Sequence, residues 1–310
     1  MFEVSVIIPV YNAEKFIEEA VQSATQINEV KEVILIEDGS KDNSLKVCFR
    51  LIEKYPKVIL HTHQGDINKG AAESRNLGIK LAKCDFIAFL DADDWYLPNR
   101  FETDKAVFND SNVFATYSLS LIQYPNGEEE LFGTKIDLFS KFPNPQVDEG
   151  EEIYKFIIQN DLILGHTNSN TFRKSVFEKI NPFDVRLVLH QDTELWNRIA
   201  KNFIFYPSNL KEPISVARRH SNNRITHKSS QSQIIHLLVW IDNIGLEIIR
   251  DYEAKAVIYH LARMISNGLK PTFMRKSVLH GFQWGLLPFR GTVIKLFYKW
   301  GIKKFKFLKE

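Results

Sequence analysis

The chain has 310 residues, of which 44% are hydrophobic and 25% charged, the composition of an ordinary folded protein long enough to bury a large core. A formal net charge of +2 argues against a general nucleic-acid binder, and length alone allows one large domain or two smaller ones. The charge is unevenly spread: residues 270–310 carry ten Lys or Arg and one acid, which leaves 30 basic and 37 acidic residues in 1–269, an acidic body with a basic tail.

The first 120 residues alternate strand and helix signals in the way a parallel sheet requires. Residues 4–10 are a short apolar run, followed over 14–24 by Phe16, Ile17, Ala20, Val21 and Ala24 at helical spacing. Residues 33–36 read as a second strand. The turn at Asp38-Gly39-Ser40 and an N-cap at Asp42 then lead into a helix showing Leu45, Cys48, Ile52 and Tyr55. A third strand over 58–60, a helix over 71–82 and an almost purely apolar strand over 86–90 complete a near-doubly-wound α/β pattern, with a sheet covered on both faces. Between about 120 and 150 the order fades, with turns at Pro125-Asn126-Gly127 and Pro143-Asn144-Pro145. Residues 151–160 and 173–180 look helical, 191–202 is a clearer helix, and from about 229 onward the sequence is helical almost throughout.

Cys48 and Cys84 lie in unrelated segments without metal-ligand spacing and are expected to be reduced thiols of a cytosolic protein. The strand-like start lacks a basic leader and cleavage site, so no signal peptide is expected. The most apolar long stretch, 234–249, is broken by His236, Asp242, Asn243 and Glu247 and reads as a buried or amphipathic helix, not a membrane span.

Polar clusters directly follow three apolar strands: Pro9-Val10-Tyr11-Asn12, Glu37-Asp38-Gly39-Ser40 and Asp91-Ala92-Asp93-Asp94. In an open α/β sheet the loops at the strands' carboxyl ends form the ligand crevice, so all of them converge on one edge if the sheet is parallel. Carboxylates gathered this way repel one another unless a cation or hydrogen-bond donors offset the charge. Hard oxygen ligands at Asp91 and Asp93 suit Mg²⁺ or Mn²⁺ held jointly with substrate phosphates. Taken alone, such a string is more often a solvated turn with a helix N-cap; its place behind a buried strand and the company of the other clusters reverse that balance.

The segment from Val4 to Asn12 resembles the opening of family-2 glycosyltransferases, which adopt the GT-A fold. Ile36 to Asp42 resembles their second, nucleotide-contacting element, and Asn68-Lys69-Gly70 with Arg75-Asn76-Leu77-Gly78 their third. Phe89 to Asp94 is similar to their D-x-D metal motif, and Gln191 to Arg198 to their acceptor-side E-D-x-x-L-W-x-R helix, with Gln191 where an acid is usual. These co-linear motifs cover roughly residues 4–225. The resemblance implies a GT-A nucleotide-sugar-binding domain over 1–225 and a helical C-terminal region over 226–310. It implies that Pro9, Tyr11, Asp38, Arg75 and Asp91 hold the nucleotide and donor sugar, and that Asp93 ligates the metal with help from Asp94 and His220. Asp192 would be the general base, with His166 and Gln191 on the acceptor side. On the residues alone, other readings stay open: Tyr11 as a half-buried core aromatic, Asp38 as a turn former, Arg75 in a surface ion pair, Asp192 as a helix N-cap and His220 as a surface residue.

The activity implied is inverting transfer of a sugar from a nucleotide-diphosphate donor, UDP by resemblance, to a hydroxyl of a glycan or lipid-linked acceptor. Such transfer serves cell-surface polysaccharide, lipopolysaccharide or glycolipid synthesis, with Mn²⁺ or Mg²⁺ as cofactor and no nucleic acid as partner. A nucleotidyltransferase would carry a Gly-rich basic loop where Tyr11-Asn12-Ala13-Glu14-Lys15 stands, and no strand is followed by G-x-G-x-x-G. A catalytically silent nucleotide-sugar-binding module is the remaining alternative. On a helical wheel Ile294, Phe297, Tyr298, Gly301, Phe305 and Leu308 form one stripe, bordered by Lys295, Lys299, Lys303, Lys306 and Lys309, with Lys304 the exception. That pattern fits either a helix packed on the body or a peripheral contact at the cytoplasmic face of a membrane.

Overall fold

The computed structural model describes residues 1–65, 67–133, 150–220, 223, 229–267, 294–299 and 303. Strands β1 (Val4–Val10), β2 (Val30–Glu37), β3 (Val58–Thr62) and β4 (Phe86–Phe89) alternate with helices α1 (Ile17–Thr25), α2 (Ser44–Lys54) and α3 (Ala71–Leu81). The strands pair in parallel in the order β4-β1-β2-β3. Because alternate residues of β1 point to opposite faces, Val4, Val6, Ile8 and Val10 pack with α1 and α2, whereas Ile7 joins Ile34, Ile87 and Phe89 on the side of α3. Gly78 is what lets α3 lie so close: a Cβ there would sit 2.3 Å from Cγ2 of Ile7.

Beyond β4 the sheet departs from the parallel expectation. After the two-residue β5 (Trp95–Tyr96) and α4 (Glu102–Val107), β6 (Val113–Tyr117) and β10 (Ile204–Pro207) extend it, with β9 (Asn170–Arg173) antiparallel between β4 and β6. A second sheet of order β5-β11-β7-β8 holds β7 (Ser120–Gln123), β8 (Glu129–Phe132) and β11 (Ser215–Arg218). Residues 120–132 are therefore more ordered than their sequence indicates: β7 and β8 flank the predicted turn, where the Tyr124 carbonyl accepts from Gly127 at 3.0 Å.

Other expectations are corrected. The stretch 173–180 is not one helix, because Arg173 ends β9, its guanidinium held by the carbonyls of Val113 and Phe108 at 2.8 Å each, and α6 (Val176–Lys179) is a single turn. At α2 the N-cap is Asn43, while Asp42 binds the Ser44 amide at 2.9 Å and its hydroxyl at 2.5 Å. Helix α5 (Gly150–Gln159) and α7 (Gln191–Asn202) follow the sequence closely.

Helices α8 (Ser230–Ile244) and α9 (Asp251–Asn267) pack on this body; Glu253 accepts from Tyr154 of α5 at 3.0 Å and pairs with Lys201 of α7 at 2.7 Å. No helix among the described residues is long and apolar enough to cross a membrane. In the helical segment 294–299, Ile294 is fully buried with Trp240, Ile241 and Val257, and Phe297 and Tyr298 pack on the same helices. The described start of the tail stripe thus packs on the body; Gly301, Lys304, Phe305, Lys306, Leu308 and Lys309 lie outside the described residues, as does the turn at 143–145. Cys48 and Cys84 are both free.

Candidate active site

The polar ends of β1, β2 and β4 meet where the strand order reverses, between β1 and β4, the place where open α/β sheets bind ligands. A cleft of about 1320 Å³ opens there, and every residue singled out in the sequence lines it: Pro9, Tyr11, Asp38, Arg75, Asp91, Asp93, Asp94, His166, Gln191, Asp192 and His220.

Tyr11 is 44% exposed, so it is not a core aromatic but a ring available at the cleft wall. Asp38 is buried, and its two oxygens accept from the backbone amides of Lys69 at 2.7 Å and Gly70 at 2.9 Å. It therefore clamps the loop entering α3, where Gly70 adopts a φ of +89°. Arg75 is buried, not on the surface, and bridges the walls of the cleft: one terminal nitrogen meets Asp91 at 2.6 Å and the other meets Gln191 at 3.1 Å. Gln191, at the position where an acid is usual, thus serves as a neutral acceptor for a guanidinium already paired with a carboxylate.

The acidic string is split into distinct environments. Asp93 accepts from His220 Nε2 at 2.9 Å and from Asn223 at 3.0 Å, and the His220 ring stacks on Phe16 with 5.2 Å between centroids. Asp94 is buried, held by the Arg218 amide at 2.7 Å and by Asn168 Nδ2 at 2.6 Å. Burial, reinforced by the charges of Asp93 and Asp91, pushes the Asp94 carboxyl well above the ordinary carboxylate range. A cation beside it would relieve that load. Ligand atoms of Asp91, Asp94 and His166 all lie within 4.8 Å of one another. The geometry thus draws in His166, which was expected on the acceptor side, and sets His220 against Asp93. Burial holds the His166 imidazole below its ordinary pKa, and Nδ1 accepts from the Asn168 amide at 3.3 Å, so the neutral ring carries its proton on Nε2. Two carboxylates and further oxygen donors at the mouth of β4 fit a hard divalent ion, and the tautomer makes His166 a donor at Nε2.

Asp192 stands in the first turn of α7. The N-cap position belongs to His190, with a left-handed φ of 63° and no side-chain cap, so Asp192 is not the cap. Its carboxylate accepts from the Thr193 amide at 2.8 Å and from the Thr167 hydroxyl at 3.3 Å, and it makes no ion pair among the described residues. Nothing in the sequence singles out Asn223 or the fully buried Arg100 and Asp104, because no local pattern marks a charge pair as buried.

The family model described as glycosyl transferase family 2 matches residues 5–180, more than half of the chain. The chain belongs to glycosyltransferase family 2. It is 26% identical over 291 residues to the minor teichoic acid biosynthesis protein GgaB of Bacillus subtilis, a match covering 92% of this chain and 29% of that protein. It is 43% identical over 102 residues to the uncharacterized glycosyltransferase YibD of Escherichia coli, covering 33% of this chain and 29% of that one. The matched part thus spans less than a third of the length of these two relatives. Among solved structures, S. aureus TarS 1-349 in complex with UDP-GlcNAc superposes with a TM-score of 0.60 at 20% identity, covering 85% of this chain and 73% of that one. The family-2 chain therefore has the GT-A fold, with a helical C-terminal part.

Proposed function

We propose that this family-2 protein is an inverting, divalent-cation-dependent transferase that moves a sugar from a UDP-sugar to a hydroxyl of a cell-surface glycan or lipid-linked acceptor. The observation that carries the reading is Asp192: a carboxylate free of ion pairs among the described residues, in the same cleft as the Asp91–Asp94 group. One such base suffices for inversion, because it takes the acceptor proton while the nucleotide leaves from the other face and no covalent intermediate forms. The cleft, at about 1320 Å³, exceeds the roughly 300–1,000 Å³ of a single small-ligand site and so has room for donor and acceptor together.

On this reading Tyr11 and Pro9 line the base, Asp38 orders the Lys69-Gly70 loop beside it, and Arg75 holds Asp91 against the ribose and donor sugar. Asp93 and Asp94, with Asp91, would hold Mn²⁺ or Mg²⁺, which supplies Lewis-acid neutralisation of the departing diphosphate. His220 keeps Asp93 oriented, and His166 offers an N–H toward the substrates. The complexes of TarS with UDP-GlcNAc and with UDP support a uridine carrier, and the teichoic acid role of the Bacillus relative supports a cell-wall polymer as acceptor. The test is a screen of nucleotide sugars with Mn²⁺, reading release of the nucleoside diphosphate. UDP release from one or a few UDP-sugars is expected; none from any donor, with or without glycan acceptors, would refute the reading.

A further inference from the structure

Asn168 is fully buried and sits between two groups of the acidic string. Its Oδ1 accepts from the Asp91 amide at 3.0 Å, and its Nδ2 donates to Asp94 at 2.6 Å. The amide can face only one way, since a backbone N–H can only donate, and the NH₂ end is therefore aimed at the Asp94 carboxylate. The Asn168 backbone amide meanwhile donates to His166 Nδ1 at 3.3 Å, which sets that ring's tautomer. Three cleft groups on two segments thus depend on one residue.

The residue is fixed in turn from behind. Fully buried Arg100 donates to the carbonyl of Asn168 at 2.9 Å and to that of Asn170 at 2.8 Å. Its charge is balanced by Asp104 at 3.1 Å, four residues on, and Asp104 accepts from Thr171 at 2.6 Å and Thr116 at 3.1 Å. The guanidinium also lies over the Phe101 and Tyr96 rings, 4.4 Å and 4.9 Å from their centroids. Removing a charged pair from water is costly, and a buried pair is tolerated when further hydrogen bonds satisfy it, as these do. The arrangement fixes the backbone at 168–170, which leads into antiparallel β9.

We infer that Asn168 is a positioning residue for the donor half of the site: it holds Asp91 and Asp94 in one relative geometry and fixes the His166 tautomer, with the Arg100–Asp104 pair as its buried anchor. The inference rests on the divalent-cation reading given above. Partners that orient ligating carboxylates typically change metal affinity about 10–100-fold when removed.

The test is a titration of Mn²⁺, followed by the electron paramagnetic resonance of the free ion and needing no turnover, on wild type, Asn168→Leu and Asn168→Ala. Leucine keeps the size but removes both the acceptor for the Asp91 amide and the donor to Asp94, and neither variant adds a charge that would itself attract the cation; the alanine serves if the leucine variant does not fold. Thr171→Val is the control, since it removes two hydrogen bonds from the Arg100–Asp104 pair while leaving the pair itself and its bonds to the carbonyls of Asn168 and Asn170 in place. Both Asn168 variants are expected to bind Mn²⁺ about 10–100-fold more weakly, and Thr171→Val to lower the melting temperature while keeping wild-type affinity. Wild-type affinity in a folded Asn168 variant, or an equal loss in Thr171→Val, would overturn the inference. If wild type itself bound no Mn²⁺, the cation reading would fall, and Asn168 would be judged by UDP affinity in chelator: weaker binding in the variants sustains its hold on Asp91, and equal binding overturns it.

Discussion

The two walls of the cleft are built by different physics. On the wall proposed to take the donor, at the ends of β1 and β2, side chains are tied to backbone: Asp38 to the amides of Lys69 and Gly70, Glu37 to those of Gly39 and Ser40, and Asn12 to that of Lys41. On the wall proposed to take the acceptor, α7 and the loop before it are held by side-chain pairs, some within a turn of chain and some across to α8. Glu194 pairs with Arg198 at 2.7 Å and accepts from Asn243 of α8 at 2.8 Å, while Arg186 joins Asp184 to Asp242. Backbone clamps would preset a site that every donor nucleotide meets alike. Side-chain pairs can be exchanged without moving a strand, which would suit a wall that has to match one acceptor.

If that division holds, disabling each wall has its own signature. The largest effect is expected on the donor side. Asp93→Ala should abolish turnover while the fold survives, checked by UDP release in Mn²⁺ and by circular dichroism; normal turnover, or full activity of wild type in chelator, would break the metal assignment. Next comes the acceptor side. Asp192→Asn should reduce the transfer rate by roughly 10²–10⁴, the usual range for losing a positioned base, and a near-normal rate would remove Asp192 from that role.

Arg75 is where the walls touch, through Asp91 and Gln191. A double-mutant cycle of Arg75→Lys and Gln191→Ala, read as kcat/KM, should show a coupling of about 0.5–3 kcal/mol; strict additivity would mean the bridge carries nothing between the halves.

The smallest effect expected is thermodynamic. The Asp94 carboxyl is raised by burial and by Asp93 and Asp91, so its contribution to stability is present below its unfolded pKa and lost as pH rises through the raised, folded one. Without metal, Asp94 therefore weighs against the fold above that range, and Mn²⁺ should raise the melting temperature more at pH 7.5 than at pH 5 in differential scanning fluorimetry. A metal-induced shift independent of pH would separate Asp94 from the cation.

The same division explains how much was legible in the sequence. Strands β1, β2 and β4 are apolar runs ending in polar turns, so both the elements and the residues at their ends could be read from local order. Strand β9 reads Asn-Thr-Phe-Arg, and its Thr171 hydroxyl is buried because Arg100 and Asp104, some 70 residues away, satisfy it, while the buried Asn170 side chain donates to the Leu164 carbonyl. No local pattern announces that, and the helix expected over 173–180 was drawn across its end. Helix α7 was legible from its apolar stripe, but not its tie to Asn243 of α8, which acts across the chain. Tyr11 and Arg75 changed places relative to the simplest expectations: the aromatic is exposed and the cation buried.

The division of the cleft is tested most directly by isothermal titration of UDP, with and without Mn²⁺, into wild type, Asp93→Ala and Asp192→Asn. If the division holds, Asp192→Asn binds UDP as wild type does, with the full Mn²⁺ enhancement, and Asp93→Ala loses the enhancement. Loss of UDP affinity in Asp192→Asn, or an undiminished Mn²⁺ enhancement in Asp93→Ala, would contradict it.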